Sequence, residues 1–208
     1  MALTTITAAM LAADLISDHT NIGATPAGSD ELLLSDAGVL KAVTVTNLSA
    51  AAGGLFASYA IIADQKAANT HSGTFTQDAW RTRDLNDEIT DPDNIVTAIS
   101  SNEFTLAAGS YMIRWSAPAF QVQVHQTKLY DETASADIEF GSAEFAEDDS
   151  GGITQSRSFG AARVTPSGSN AYTIQHYCAD TCSSSGFGER NNFGNVLYYT
   201  IVEIFKEA

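Results

Sequence analysis

The sequence predicts a mainly-β protein, an antiparallel sandwich of jelly-roll type preceded by a small N-terminal helix and β-hairpin. Three observations carry this. From Leu55 onward about ten short strand-like runs are separated by turn-forming residues, with no convincing helical stretch among them. The last run, Asn195 to Phe205, is largely apolar on both of its alternating faces. Before Leu55, apolar residues first recur at helical spacing and then form two short runs around a glycine-containing turn.

In chain order, Ile6, Met10 and Ala13, with Leu11 and Leu15, fall at helical spacing. Thr4 and Thr5 are candidate caps and the segment 21–23 a stop, so residues 4–18 are expected to form a short amphipathic helix. Residues 21–30 carry Gly23, Pro26 and Gly28 and read as a loop. Residues 31–34 and 39–45 flank Ser35-Asp36-Ala37-Gly38, a hairpin signal in which Gly38 supplies the left-handed conformation a short turn needs. A helix and one hairpin are too small to be stable alone, so this segment must dock on something. The small residues 50–54 form a linker, which divides the chain into a segment 1–54 and a domain 55–208.

Within the second domain, strands are expected near residues 59–63, 79–85, 95–99, 103–106, 111–117, 122–130, 138–144, 155–164, 171–178 and 196–206. Turns separate them at 91–94, 107–109, 148–152 and 166–169, rich in Asp, Asn, Gly, Pro and Ser. That many short strands in so short a stretch indicates a two-sheet sandwich. In the last strand, Leu197, Tyr199, Ile201 and Phe205 form one face, broken by Glu203. Val196, Tyr198, Val202 and Ile204 form the other, broken by Thr200. One face packs on the opposite sheet. The other needs cover, and with no helix candidate in the domain, another copy of the chain is the expected cover.

Composition excludes several functions. The 25 Asp and Glu against 10 Lys and Arg give a formal net charge of −15, which opposes phosphate-mediated nucleic-acid binding. No apolar run approaches the roughly 20 residues that cross a bilayer, so membrane insertion is not expected. The N-terminus has no positive charge before its apolar residues and lacks the secretion-signal pattern. Cys178 and Cys182 allow a local disulfide, but reduced side chains under a strand end are the simpler expectation.

Catalytic and metal chemistry find little support. His19, His71, His125 and His176 are scattered, and no two share a metal-binding interval on one element. No nucleophile motif is present, and the glycines at 151–152 and 186–188 precede neither a Lys nor a helix. No cofactor and no metal site are therefore expected. Calcium is a secondary possibility at the carboxylate clusters 84–94 and 144–149, which do not follow the known loop pattern. Trp115 alternates with Tyr111 and Ile113 and reads as core, whereas Trp80, between Ala79 and Arg81, remains a candidate for stacking on sugars.

Phe104 to Ile113, with its Phe, Gly109 and Tyr111, resembles the strand-turn-strand signature of complement C1q and tumour-necrosis-factor-like jelly rolls. The run 192–198 looks like the phenylalanine-glycine entry into their final strand. Residues 79–86, 116–119, 175–178 and 202–206 are similar to C1q-like domains on bacteriophage fibre and virion-surface proteins, and residues 2–9 and 30–41 to the virion-proximal start of such fibres. The resemblance implies a homotrimer about a three-fold axis. It implies a virion protein, made in the host cytoplasm without a signal peptide, whose first 54 residues attach to other virion proteins. Its tip would bind a host-surface glycan or protein; it would not be an enzyme. Tyr198, Tyr199, Val202, Ile204 and Phe205 are the expected core and trimer strand. Asp148, Asp149, Glu189, Arg190, Asn191 and Asn192 are the candidate receptor-contact loop residues. The chain departs from fibres in having only a linker where they carry a long shaft. The alternative is therefore a capsid decoration, head-fibre or collar protein that stabilises the particle without binding a receptor. A polysaccharide-degrading enzyme is the third reading, and no paired acids in a groove support it.

Overall fold

In a computed structural model that describes residues 25–51, 54–147 and 152–208, Ala37 and Gly38 both adopt positive φ, 50° and 81°. A two-residue turn of this kind matches the twist of its flanking strands. It joins β1 (Glu31–Asp36) to β2 (Val39–Thr44), which pair antiparallel from Asp36 opposite Val39 to Glu31 opposite Thr44. Leu32, Leu33 and Leu34 are consecutive, so apolar side chains stand on both faces of the hairpin, and all three are exposed, Leu33 by 71%. The expected strand through Val45 ends one residue early. Thr44 Oγ1 accepts the Asn47 N–H at 3.2 Å and caps a short helix, α1 (Val45–Ala51), which enters the segment expected as linker. The β-branched run 43–46 favours an extended chain. Hydrogen bonds from Val45 N to Asp30 O and from Thr46 N to Gly28 O turn it instead. The helix expected over residues 4–18 lies outside the described residues.

The chain divides into two units, Met1–Gly53 and Gly54–Ala208. The second holds β3 (Phe56–Lys66), β4 (Arg81–Thr82), β5 (Asp87–Thr90), β6 (Val96–Ser100), β7 (Glu103–Leu106), β8 (Tyr111–Phe120), β9 (Gln123–Asp131), β10 (Ala136–Ala146), β11 (Gln155–Val164), β12 (Asn170–Cys178) and β13 (Leu197–Glu207). One sheet runs β11-β8-β13-β3-β5 and the other β10-β9-β12-β7-β6, with β4 on β12. Every pairing is antiparallel. The chain passes repeatedly between the sheets, from β7 to β8, β8 to β9, β10 to β11, β11 to β12 and β12 to β13, which is the jelly-roll path.

The two inner faces make the core. Ile62, Ile113, Trp115, Val202 and Ile204 come from one sheet, and Phe104, Leu106, Leu129, Tyr172 and Ile174 from the other. Trp115 is buried as its alternation with Tyr111 and Ile113 predicts, and its Nε1 donates to Thr127 Oγ1 across the sandwich at 2.8 Å. Its ring lies over Gly160, its register partner on β11, where a Cβ would approach the indole to 1.9 Å. Glycine is required there because the neighbouring strand must leave room for a tryptophan.

Three expectations are corrected. Residues 79–85 contain only the two-residue β4, because Arg83 turns into the interior. Residues 86–90, where the sequence predicts no strand between the expected strand 79–85 and the expected turn 91–94, contribute β5 at the edge of β3. The third concerns β13. Between Tyr198 and Ile201 its register with β3 slips by one residue, a β-bulge that shifts the alternation. Leu197 and Tyr199 point inward before the bulge, and Thr200, Val202 and Ile204 after it. The two faces read from strict alternation are therefore mixed. Tyr199, Val202 and Ile204 belong to the protomer core, while Tyr198 is exposed and Phe205 half-buried on the outside with Ile201 and Glu203.

Candidate binding surfaces

At one end of the sandwich, residues 67–80 and 181–195 zip together. Phe75 N and Cys182 N each donate to the other's carbonyl at 3.0 Å, Phe187 N donates to Gly73 O, and Ser72 N to Gly188 O. Beneath them lies a second small core of Phe75, Ala119, Val122, Ala146 and Cys178, with Cys182 and Phe187 against it. Both cysteines are free. Burial pushes the Cys178 thiol up to about 12, so it packs as a small apolar side chain.

Arg83 fastens this end to the sheets. Its side chain is fully buried and donates from Nε to Thr200 Oγ1 (2.8 Å), from one terminal nitrogen to Pro118 O (3.2 Å) and from the other to Phe187 O (2.7 Å). The guanidinium also lies 4.2 Å from the Phe187 ring centre. Burial pulls it down to about 9, opposed by the nearby Asp64 carboxylate. Three elements thus meet on one cation: β8, β13 and the long loop before β13. The sequence offers no signal for this, since Arg83 looks like one of two arginines that follow Trp80 in an expected strand.

That long loop carries Glu189, Arg190, Asn191 and Asn192. Glu189 N donates to Gln155 Oε1 at 2.7 Å. Arg190 Nε donates to His71 Nε2 at 2.9 Å, which places the ring proton on Nδ1, 3.4 Å from Glu189 Oε1. Glu189, Arg190 and Asn191 line a cleft of about 610 Å³ with Phe120, Arg157 and Tyr198, while Asn192 is exposed beside it. Asp148 and Asp149 lie outside the described residues. In the acidic cluster 84–94, three carboxylates are engaged internally. Asp91 accepts from Ile95 N and Val96 N, Asp84 from Lys66 Nζ, and Asp87 from Gln65 Nε2. Among the described residues no group of three or more His, Cys, Asp or Glu side chains is arranged to hold a metal ion.

The outer face of the β11-β8-β13-β3-β5 sheet is largely apolar. Register places Phe159, Ser116 and Ile201 in one row, Ala161, Arg114, Glu203 and Ile61 in the next, and Arg163, Met112, Phe205 and Tyr59 in a third. Phe159 is 58% exposed and Tyr59 46%, and the Phe56 ring lies 5.1 Å from that of Phe205. Four of the charges on this face are paired, Arg114 with Glu203 at 3.8 Å and Arg163 with Glu207 through two bonds of 2.7 Å, while Arg157 donates to Ser116 Oγ and the Tyr199 carbonyl.

The outer face of the other sheet carries Trp80. Lys128 Nζ lies 4.4 Å from its ring centre, and the rings of Tyr177 and Phe140 lie 5.6 and 5.9 Å away. Inside the sandwich, His125 and His176 meet across β9 and β12 and engage Ser156. Strand spacing alone does not bring these two histidines together; the pairing of β9 with β12 does. Among the described residues no helix is long and apolar enough to cross a membrane.

No family model and no curated relative matches the chain. Among solved structures, the globular domain of zebrafish complement 1qA protein is similar at 12% identity and a TM-score of 0.45, over 71% of this chain and 95% of that one. A crystal structure of murine APRIL is similar at 8% identity and a TM-score of 0.44, over 72% of this chain and 98% of the other.

Proposed function

We propose that this chain is a structural virion protein of a bacteriophage, a short homotrimeric fibre whose jelly-roll tip binds the host surface. Its work is binding and not catalysis. The observation that carries this reading is the apolar outer face of the β11-β8-β13-β3-β5 sheet. Among the described residues no other element of the second unit covers its aromatic and aliphatic rows, and four of its charges are paired with one another. Burying each large apolar side chain contributes about 1.5–3 kcal/mol, so three copies meeting on this face would gain substantially. The resemblance of residues 79–86, 116–119 and 202–206 to virion C1q-like domains supports the particle setting. The exposed leucines of the hairpin support attachment of the first unit to other virion proteins. The cleft beside Glu189 and Arg190 is the receptor-contact candidate, on a loop that Arg83 holds rigid.

A second reading is favoured by the few residues that join the two units where fibres carry a long shaft. In it the trimer decorates the capsid or collar and stabilises the particle. Particles with and without the protein, compared in parallel for adsorption and for survival of a heat challenge, separate the two. Loss of adsorption supports the tip reading, and unchanged adsorption with lower heat survival supports decoration.

A further inference from the structure

We propose that the outer face of the β10-β9-β12 sheet holds a saccharide-stacking subsite, in which Trp80 and Tyr177 wall a cleft that takes one neutral pyranose ring. The proposal deepens the host-surface reading by naming a ligand class, and rests on that reading only for its biological use.

The cleft measures about 190 Å³ and is lined by Trp80, Tyr177, Val124, His125, Gln126, Ala143 and Ala179. Its position follows from register. Ala143, Gln126 and Tyr177 stand side by side across β10, β9 and β12 on the outward face, and Trp80 immediately precedes β4, which pairs with β12 at His176. Small side chains at Ala143 and Ala179 open the space that the two aromatic rings border.

Three features select a sugar. The walls are aromatic and aliphatic, and a pyranose presents a face of C–H bonds that packs on such rings while its hydroxyls stay at the rim. Hydrogen-bonding groups stand at that rim. The Gln126 amide nitrogen is held by Gly141 O at 2.8 Å, which fixes the orientation of its carbonyl oxygen. The Tyr177 hydroxyl has only a long 3.5 Å contact to Asp78. Among the described residues the site also offers an anionic ligand no free cation, and the Asp78 carboxylate stands at its rim. Lys128, the cation beside Trp80, is buried between the Trp80 and Tyr130 rings and paired with Asp137, and a chain of net charge −15 disfavours anionic ligands.

The site is preorganised as well. Lys128, Phe140 and Tyr177 hold Trp80 from three directions, so little ordering is left for the ligand to impose. The cleft, at about 190 Å³, is smaller than a drug-sized pocket, roughly 300–1,000 Å³, which fits a single sugar unit better than a protein segment.

Trp80 also supplies the assay, because the other tryptophan, Trp115, is buried in the core. The full-length protein is titrated with glucose, galactose, mannose and N-acetylglucosamine and with their β-linked disaccharides, following tryptophan fluorescence and saturation-transfer NMR. At least one neutral sugar is expected to bind with a millimolar Kd. Trp80→Ala should weaken it at least about tenfold. Ala143→Arg, which fills the cleft without removing an aromatic, should do the same with thermal stability and oligomeric state unchanged. Absence of binding across the panel, equal binding by both variants, or a change of oligomeric state in Ala143→Arg, which would mark the patch as a protein interface, overturns the assignment. Loss of sugar binding in Ala143→Arg with normal phage adsorption leaves the subsite standing and removes the host-attachment role.

Discussion

His125 Nδ1 and His176 Nε2 lie 2.9 Å apart between β9 and β12, and His125 Nε2 lies 2.8 Å from Ser156 Oγ. Only one proton can occupy the bond between the rings. Burial lowers His125 to about 4, against the pull of Glu144, and lowers His176 well below its usual value, with Arg83 adding repulsion. Both rings are therefore neutral in the native protein at pH 7, whereas in the unfolded chain they titrate near 6.5.

Acid destabilisation follows. Well above pH 6.5 the rings are neutral in both states and contribute no pH dependence. As pH falls below 6.5 the unfolded chain takes up protons that the native rings refuse, for His125 down to about 4, so stability falls with pH by up to about 1.4 kcal/mol per pH unit for each ring that stays neutral. The loss levels off once the native rings protonate. Denaturant unfolding at pH 7.5, 6.0 and 5.0 measures the slope, and NMR of the imidazole C–H resonances should show both rings untitrated at pH 5. A native midpoint near 6.5 for either ring would contradict the burial argument.

Arg83 should be the most sensitive charged position in the second unit. Arg83→Ala leaves Pro118 O, Phe187 O and Thr200 Oγ1 without their donor and opens a cavity, and is expected to cost more than about 3 kcal/mol. Arg83→Lys keeps the charge but cannot reach three separated acceptors from one nitrogen, and should still cost about 2 kcal/mol. Arg81, exposed on β4, is the control, and its replacement by Ala should change stability by less than about 0.5 kcal/mol. Urea midpoints for the three variants decide it, and equal losses at 81 and 83 would contradict the geometry.

The difference between Arg81 and Arg83 also marks how far the sequence could be read. Strands such as Glu103–Leu106 and Gln155–Val164 were legible to the residue because alternation and turn chemistry agree there. The hairpin turn was legible from Gly38. Trp115 was readable as core, but its need for a glycine on the next strand was not, since that depends on register. The bulge in β13 carries no Gly or Pro signal, so strict alternation assigned Tyr199 and Thr200 to opposite faces when both point inward. The long-range polar contacts, Arg83 with Phe187 and His125 with His176, join residues 104 and 51 positions apart. A one-dimensional pattern does not encode them. Of the candidate loop residues, Glu189, Arg190 and Asn191 share a cleft for the same reason, because their loop is folded back on His71 and Gln155.

Assembly is tested by charging the apolar rows without touching the core. Phe159→Asp and Ile201→Asp alter outward positions of β11 and β13, which share a row through Ser116. Light scattering on the wild-type chain is expected to give three copies at micromolar concentration. The double variant should give a folded monomer with unchanged β-sheet circular dichroism. A wild-type monomer would overturn the trimer, and a variant that remains trimeric would place the contact elsewhere.

Recognition is tested at the loop that lines the large cleft. Replacing Glu189, Arg190, Asn191 and Asn192 with a Gly-Ser segment removes the Arg190–His71 bond and the charges at the cleft mouth. It leaves the Arg83–Phe187 anchor, two residues upstream of Glu189, in place. The lost contacts are largely solvent-exposed, so trimer stability should change by less than about 1 kcal/mol. Adsorption to host cells should fall at least about tenfold if this loop carries receptor contacts, since a handful of central residues dominate most interfaces. Normal adsorption by particles carrying the replaced loop, with the protein present at full occupancy, would remove the cleft from the recognition surface. The Trp80 face and the decoration role would then remain to be separated by the Ala143→Arg particle, which keeps this loop intact.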